Sequence, residues 1–386
     1  MNYTKEIYQY VSEIPETVWL ALDTKEKIYF SKDYLKALEA HNSNKIQFYY
    51  VVVFNENKAV SLATIQVISF DFSETNFSNN TSKFTQRVAH KLNCFIKRDY
   101  VKIVICGNAF LSGEYGVYIK TGEDKKAIFN EIIRGIHKVI KSDRYLKKLT
   151  DVILLKDFET ASLPITSELK NYNYVPVFVD PNMVLTLNPE WQSFEDYIGA
   201  FKSKFRVKAK KAYKTSNSLI AKDFTSEEII TNKEKLTKLY LNVVDKAGFN
   251  PEVLNLSTYA AFKNILKDKF VFRVYSLDDE IVGFMSGLVN NDKLDAHYVG
   301  IDYALNKEHA IYSRMLYDYV HIGIDKKLKK VDFGRTAGEI KSTLGAVPES
   351  LVCYVRHKKS VANFLVKPFL KKIKPTAFEQ RHPFKK

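Results

Sequence analysis

The chain has 386 residues, 46% of them hydrophobic and 27% charged, which is the composition of a soluble globular protein with room for two domains. Its longest uninterrupted apolar run, Phe48–Phe54, is far shorter than the roughly 20 residues that cross a bilayer, so the sequence predicts no transmembrane helix. The net charge is +15, of which residues 1–188 carry +3 and residues 189–386 carry +12. The basic second half is suited to nucleic acid, anionic lipid headgroups or the phosphates of coenzyme A.

The three cysteines, Cys94, Cys106 and Cys353, lack the spacing of a disulfide framework or a metal site. This pattern favours a reducing cytoplasm and gives no support to a bound metal. Residues 1–16 mix lysine with several glutamates and lack the apolar core of a secretion signal, which agrees with a cytoplasmic protein. The signature motifs of zinc proteases, serine hydrolases and P-loop NTPases are absent from the sequence.

The first half opens on a predicted hairpin, in which Gln47–Phe54 and Ala59–Phe70 are β-rich and the polar residues 55–58 join them. Further short strands are predicted at Tyr100–Cys106, Tyr115–Ile119 and Asp151–Leu155. Asp124–Lys141 is predicted to be a helix, because isoleucines recur along it at every fourth position and form one apolar stripe. A crossing strand is then expected at Val175–Leu187.

The second half repeats the order of hairpin, strand, helix and strand. The elements predicted there are Phe270–Ser276, Ile281–Val289, Lys293–Gly300, the helix Glu308–Ile324, Lys330–Gly334, the short helix Gly338–Leu344, Leu351–Arg356 and the helix Lys359–Leu370. The repeat predicts an α/β (α+β) fold of two tandem domains, each a mixed sheet flanked by helices. We place them at residues 1–185 and 186–374, followed by a loose basic tail at 375–386.

One segment of the second half carries most of the functional information. It reads as strand, polar turn, basic helix and strand, which puts Arg335 and Lys341 beside the carboxyl end of a strand, where open α/β sheets bind ligands. The run Asp332-Phe333-Gly334-Arg335, followed by Lys341 and by Leu344-Gly345, resembles the FemABX-like acyltransferases, which include the BioF2-like acetyltransferases, of the GNAT superfamily. The helical segment Trp191–Lys214 is similar to the one that opens the second domain of those proteins.

The resemblance implies that both domains are GNAT-like and that the chain is an acyltransferase. The expected reaction is transfer of an acyl or aminoacyl group to an amine, with a cell-envelope precursor as one class of acceptor. The acyl donor is either aminoacyl-tRNA or acyl-coenzyme A, and no tightly bound cofactor is expected. Two alternatives stay open: an acyl-coenzyme A or acyl-carrier-protein N-acyltransferase that makes a lipid or small amide, and a non-catalytic module that binds a polyanion.

Candidate site residues come from the same segment and from the strand Lys293–Gly300, which lies where GNAT-type folds open the sheet to admit the acyl group. On this strand, alternation puts Asp295, His297 and Val299 on one face and Leu294, Ala296 and Tyr298 on the other. The candidates for catalysis are Asp295, His297, Tyr298 and Lys341, since a carboxylate or imidazole can take a proton from the amine and a phenol can return one. Arg335 is predicted to bind substrate, with a structural ion pair to Asp332 or Glu339 as its alternative role.

Two further residues are predicted to bind substrate. Glu114 lies in the glycine-rich stretch Gly107–Gly116, which is either a substrate loop or a pair of turns that need positive φ. Tyr312 lies in the predicted helix Glu308–Ile324.

The helix Phe201–Lys214 carries seven cations and no acid, all of them away from its apolar face. Lys204, Lys208 and Lys211 are therefore predicted to contact a polyanion, either tRNA or an anionic membrane surface, although a solvated face would look the same. Residues 301–310, where a coenzyme A-dependent GNAT enzyme has a glycine-rich pyrophosphate turn, contain no glycine. This composition favours the branch of the family that uses aminoacyl-tRNA.

Overall fold

The structure is a computed structural model that describes residues 2–71, 100–247 and 253–385. These residues form two compact units. Of the described residues, the first unit comprises those within 1–180, 248–254 and 350–375, and the second comprises those within 181–247, 255–349 and 376–386. Cys94 lies outside the described residues, and Cys106 and Cys353 are buried free thiols.

The first unit is built on a mixed sheet with strand order β1-β2-β3-β4-β6-β13, in which β5 pairs with β3. Its strands are β1 Tyr3–Tyr8, β2 Gln47–Asn55, β3 Lys58–Asp71, β4 Tyr100–Cys106, β5 Val117–Ile119, β6 Thr150–Glu159 and β13 Val347–His357 (of which residues 350–357 belong to this unit). Its helices are α1 Glu16–Leu22, α2 Lys32–Asn42, α3 Lys125–Ser142, α4 Arg144–Leu149, α5 Leu163–Thr166 and α14 Ser360–Leu370. Only β4 and β6 are parallel neighbours among the pairs described there.

The second unit has the strand order β7-β12-β11-β10-β9-β8, where β11 and β12 are parallel and the other described neighbours are antiparallel. Its strands are β7 Val175–Thr186 (of which residues 181–186 belong to this unit), β8 Ile220–Asp223, β9 Phe270–Leu277, β10 Glu280–Asn290, β11 Lys293–Ile301 and β12 Lys330–Asp332. Its helices are α6 Phe194–Gly199, α7 Ser203–Thr215, α8 Ser226–Thr231, α9 Lys233–Ala247, α10 Leu256–Leu266, α11 Tyr303–His309, α12 Ile311–Asp325 and α13 Gly338–Ser342. Short 3-10 turns complete the described structure at Val11–Glu13, Ile28–Phe30, Thr160–Ser162, Ser167–Tyr172 and Lys267–Lys269.

Elements with a strong local signal are confirmed. The β2–β3 hairpin turns at Glu56 and Asn57, whose φ values of 48° and 69° are those of a tight two-residue turn. The predicted isoleucine stripe is the buried face of α3 and packs in the core of the first unit. Asp124 caps this helix by accepting hydrogen bonds from the backbone N–H groups of residues 126 and 127.

The helix predicted at Glu308–Ile324 is two helices, α11 and α12, because Ala310 interrupts it. Ala310 has φ 49° and ψ 35°, a left-handed conformation that an α-helix does not contain. Helix α12 therefore begins at Ile311. It packs on the sheet of the second unit through Ile311, Met315 and Tyr319.

The structure corrects the prediction of a loose tail at 375–386, because residues 376–385 are packed into the second unit. The backbone N–H of Lys202 donates to Pro383 at 2.8 Å, and that of Lys385 donates to Ala200 at 3.0 Å. The ring of Phe384 packs against Trp191 and Phe201, so burial of an aromatic side chain outweighs the basic character of the segment.

The last strand and helix also pack differently from the prediction, which assigned them to the second domain. Strand β13 pairs antiparallel with β6 from Leu351 to His357, and α14 buries Val366 and Leu370 against Val175 and Val177 of β7. Residues 350–375 therefore complete the first unit, and neither unit is continuous in sequence.

Candidate active site

The sheet of the second unit opens between its two parallel strands. Strands β11 and β12 pair only over Lys293–Asp295 and Lys330–Asp332. Beyond these residues β11 continues to Ile301, while the chain after β12 stays hydrogen-bonded to β7 at Met183. Beyond Asp295, β11 has no strand neighbour on that side among the described residues. The point of divergence, after Asp295 and Asp332, is called the sheet fork below.

The parallel pair of the first unit does not open in this way. Residues 102–106 of β4 stay paired with residues 150–155 of β6. Among the described residues, the opening between parallel strands therefore lies in the second unit.

A β-bulge lies on β11 next to the sheet fork. Met285 pairs with Val299 and Gly287 pairs with Ala296, so His297 and Tyr298 together oppose Ser286. The Ser286 hydroxyl accepts a hydrogen bond from the Tyr298 N–H at 3.1 Å and donates one to the Tyr298 carbonyl at 2.9 Å.

The bulge corrects the alternation predicted for this strand. His297 and Tyr298 both contact the layer of α9 and α10, since the His297 ring centroid is 5.5 Å from that of Tyr259 and the Tyr298 centroid is 5.0 Å from that of Tyr240. Val299 packs instead in the cluster that contains α12. The extra residue therefore exchanges the faces that strict alternation assigns to Tyr298 and Val299.

Two buried carboxylates lie side by side at the sheet fork. Asp295 of β11 and Asp332 of β12 are paired residues, each 5% exposed, and are called the acid pair below. The ammonium of Lys293 lies 2.8 Å from Oδ1 of Asp295 and 3.5 Å from Oδ2 of Asp332. Asp332 also accepts hydrogen bonds from the Asn182 side chain at 2.9 Å and from the Gly334 N–H at 2.8 Å.

The electrostatics of the acid pair suit proton transfer. Burial raises the pKa of Asp332, the charge of Asp295 raises it further, and the ammonium of Lys293 opposes the shift. Two carboxylates that share one lysine can attract a cationic amine and take a proton from it. Asn182 and Lys293 were not among the predicted site residues, since their roles arise from strand pairing that no short motif records.

Lys341, predicted to be catalytic, is buried in α13, only 3% exposed. Its ammonium donates to the backbone carbonyls of Phe333 at 2.7 Å, Gly334 at 3.1 Å and Arg335 at 2.5 Å. Burial lowers its pKa to about 7, and the negative charge of Asp332 acts in the opposite direction. Because its three N–H groups donate to three carbonyls, Lys341 stabilises the turn that follows β12.

That turn is strained and carries Arg335. Gly334, Thr336 and Ala337 have φ values of 67°, 64° and 48°. Non-glycine residues such as Thr336 and Ala337 adopt positive φ values only where surrounding contacts fix the backbone. Here the hydrogen bonds from Lys341 to the carbonyls of the turn provide those contacts. Arg335 is partly buried in this turn. Glu339, one of its two predicted ion-pair partners, forms an ion pair with Arg381 at 2.6 Å.

His297 is partly exposed, but both nitrogens of its ring are buried. Neither of its ring nitrogens has a hydrogen-bond partner among the described residues, and burial lowers its pKa to about 3. A group with so low a pKa is a weak base at neutral pH. The acid pair is therefore the better candidate for proton removal.

The two other residues predicted to bind substrate, Glu114 and Tyr312, lie in different units. Glu114 belongs to the first unit, where it accepts hydrogen bonds from the Glu159 N–H at 2.9 Å and the Ser162 hydroxyl at 2.7 Å, and burial raises its pKa. Tyr312 lies at the start of α12, its backbone N–H donates to Asn306 at 2.9 Å, and burial raises the pKa of its phenol to about 12.

Helix α7 presents the predicted cationic surface. Lys204, Lys208 and Lys211 are exposed, and in the part of the chain that the structure describes no carboxylate pairs with them. Ala209, on the opposite side of the helix, is fully buried. Of the helices within the described ranges, none combines the length and apolar character needed to span a bilayer.

Solved structures share this architecture at low sequence identity. FemX is 10% identical, with a TM-score of 0.53 over 86% of this chain and 92% of that one. A tandem GNAT protein from the clavulanic acid biosynthesis pathway is 8% identical, with a TM-score of 0.50 over 92% of this chain and 98% of that one. A conserved protein of unknown function from Bacteroides thetaiotaomicron is 10% identical, with a TM-score of 0.51 over 92% and 100%. The fold is thus of the tandem GNAT type, as the sequence predicts.

The family follows from the sequence itself. The model of the FemAB-like family, described as peptidoglycan biosynthesis/recognition, matches residues 10–386. The chain therefore belongs to the FemAB-like family, and the predicted resemblance is confirmed. The search of curated proteins found no match.

Proposed function

We propose that the chain transfers an acyl or aminoacyl group to an amine on a cell-envelope precursor, with the reaction at the sheet fork of the second unit. The observation that carries the proposal is the acid pair, buried beside a bulged strand edge at the point where two parallel strands separate. The description of the family supports the class of acceptor.

The chemistry forms one bond, breaks one bond and moves one proton from the amine to the leaving group by way of Asp295. The amine nitrogen attacks the carbonyl carbon of the donor, an amide bond forms, and the ester or thioester bond of the donor breaks. Asp295 takes the proton of the amine, and Asp332, Asn182 and Lys293 position that carboxylate. The developing oxyanion is met by backbone N–H groups of the β11 edge or by Arg335, and the leaving group receives the proton.

Aminoacyl-tRNA is the donor that we propose. Helix α7 offers exposed lysines to a polyanion, and α11 (Tyr303–His309), capped by Asp302, lies where a pyrophosphate turn would be required. The N–H of Tyr312 is also taken by Asn306 instead of remaining available to a phosphate. Acyl-coenzyme A remains the alternative donor.

A test of the donor compares purified protein incubated with radiolabelled aminoacyl-tRNA and with acyl-coenzyme A, each with a cell-wall precursor peptide that bears a free amine. We expect amide product from aminoacyl-tRNA only. Asp295→Asn should lower the rate by about 10²–10⁴-fold, the range typical of a lost general base. The matched control is Asp292→Asn, which changes an exposed aspartate in the turn before β11.

The exposed lysines of α7 also favour one second candidate, a module that binds a polyanion without catalysis. Changing Lys204, Lys208 and Lys211 to Glu should weaken tRNA binding, which should fall steeply with added salt in the unchanged protein. Amide product from neither donor, together with retained tRNA binding, would favour this second candidate over the transferase.

A further inference from the structure

Helix α14 has two apolar faces, of which only one is covered. Its inner face, formed by Ala362, Val366 and Leu370 with Asn363, is buried in the first unit. Its outer face, defined as Val361, Phe364, Leu365 and Pro368, has the i, i+3, i+4, i+7 spacing of a second apolar stripe. Val361 is 74% exposed, Phe364 76% and Leu365 41%.

The orientation of the helix is fixed, so the outer face cannot turn inward. The Asn363 side chain accepts a hydrogen bond from the His357 N–H at 2.9 Å and donates one to the Asn173 carbonyl at 2.9 Å. This buried amide locks the rotation of α14 on the first unit. The exposure of Phe364 is therefore a built feature of the surface, and clustered apolar side chains of this kind mark interaction sites.

The charges around the outer face select an anionic partner. The cations on and next to α14 are Lys359, Lys367, Lys371, Lys372 and Lys374, and residues 350–378 contain no aspartate or glutamate. A second copy of the chain would bring the same cations against them, and their repulsion opposes self-association. A nucleic acid would satisfy the lysines but would leave Val361 and Phe364 in contact with phosphates and water.

We propose that α14 docks the protein on an anionic lipid bilayer, with the outer face at the boundary between headgroups and acyl chains. A convex helix with large apolar side chains in the centre and lysines around them is the pattern of an interfacial helix. The lysines bind anionic headgroups while their methylene stems cover apolar surface. This inference concerns a surface of the first unit and does not depend on the proposed reaction.

The test is flotation of the purified protein with vesicles of phosphatidylcholine, with and without roughly one-third phosphatidylglycerol. We expect binding to the anionic vesicles that weakens with salt. Val361→Glu/Phe364→Glu should lower the partition coefficient at least about tenfold, since two exposed apolar side chains are lost from the bilayer contact. The matched control is Leu20→Glu, which changes a residue that is 67% exposed on α1 and should bind as the unchanged protein does.

A second pair of variants separates α14 from the basic helix α7. Lys367→Glu/Lys371→Glu should weaken vesicle binding, whereas Lys204→Glu/Lys208→Glu should leave it in place. In Phe364→Trp the new indole should show a blue-shifted emission on anionic vesicles only.

Three results would overturn the inference. The first is absence of vesicle binding by the unchanged protein, and the second is equal binding by Val361→Glu/Phe364→Glu with an unchanged melting temperature. The third is a dimer in solution that the same double variant disperses, which would assign the outer face to a second copy of the chain.

Discussion

Replacement of Lys341 by Met tests whether this lysine holds the turn after β12 or takes part in the chemistry. Methionine keeps most of the buried length of the side chain but removes the amino group, so the carbonyls of residues 333, 334 and 335 lose their donor. Leaving a buried polar group without a partner typically costs about 1–3 kcal/mol, so losing the common donor of these carbonyls should cost about 3–5 kcal/mol in total. We therefore expect the free energy of unfolding of the variant to fall by that amount and its melting temperature to fall by roughly 10 °C.

The assay is urea unfolding at about pH 9, because the folded pKa of about 7 lies below the ordinary value of 10.5 and the contribution of Lys341 to stability is lost as the pH falls from 10.5 to 7. The matched control is Lys330→Met, which removes a half-exposed lysine paired with Glu349 at 3.0 Å and should cost no more than about 1 kcal/mol. If Lys341→Met is as stable as this control but loses about 10²–10³-fold in turnover, the structural reasoning is refuted and Lys341 acts in the transition state.

Three other substitutions test particular contacts. His297→Phe should resist acid better than the unchanged protein. The pKa of His297 is about 3 in the folded state and 6.5 in the unfolded state, so the unfolded state binds more protons and the stability of the unchanged protein falls as the pH drops from 6.5 to 3. Urea titrations at several pH values will measure this difference. Gly345→Ala should destabilise the second unit, since a Cβ there would lie 2.2 Å from the Phe384 ring and φ is 96°; an unchanged melting temperature would contradict the docking of residues 376–385. Asn363→Ala should cost about 1–3 kcal/mol by thermal unfolding, because it leaves one buried N–H and one carbonyl without partners.

Elements whose signals are local could be predicted from the sequence. The β2–β3 hairpin depends on two turn residues, and α3 depends on an isoleucine stripe, so each is set by a few neighbouring residues. The opening of the sheet at β11 was expected from the resemblance to GNAT-type folds, in which the strand at this position opens the sheet. Candidate residues on that strand, Asp295 and His297, do lie beside the sheet fork, and their predicted roles remain to be tested.

Features that depend on long-range pairing could not be predicted. The acid pair forms because residues 293–295 and 330–332 are adjacent strands, and nothing near Asp295 in the sequence indicates Asp332 as its neighbour. The bulge at His297 and Tyr298 is fixed by the Ser286 hydroxyl on the adjoining strand. The docking of residues 376–385 depends on Phe384, whose burial outweighs a local composition typical of a disordered tail.

The interleaving of the two units has a consequence for the order of folding during translation. The first unit needs residues 350–375 for β13 and α14, and the second needs residues 376–385 to cover Trp191 and Gly345. A ribosome that has released only the first 340 residues therefore presents two incomplete cores, each with exposed apolar surface. In many proteins the domains fold one after another as they emerge from the ribosome. Here both units are completed only after residue 350 has emerged, so chaperones have the longest time to bind the chain before that point.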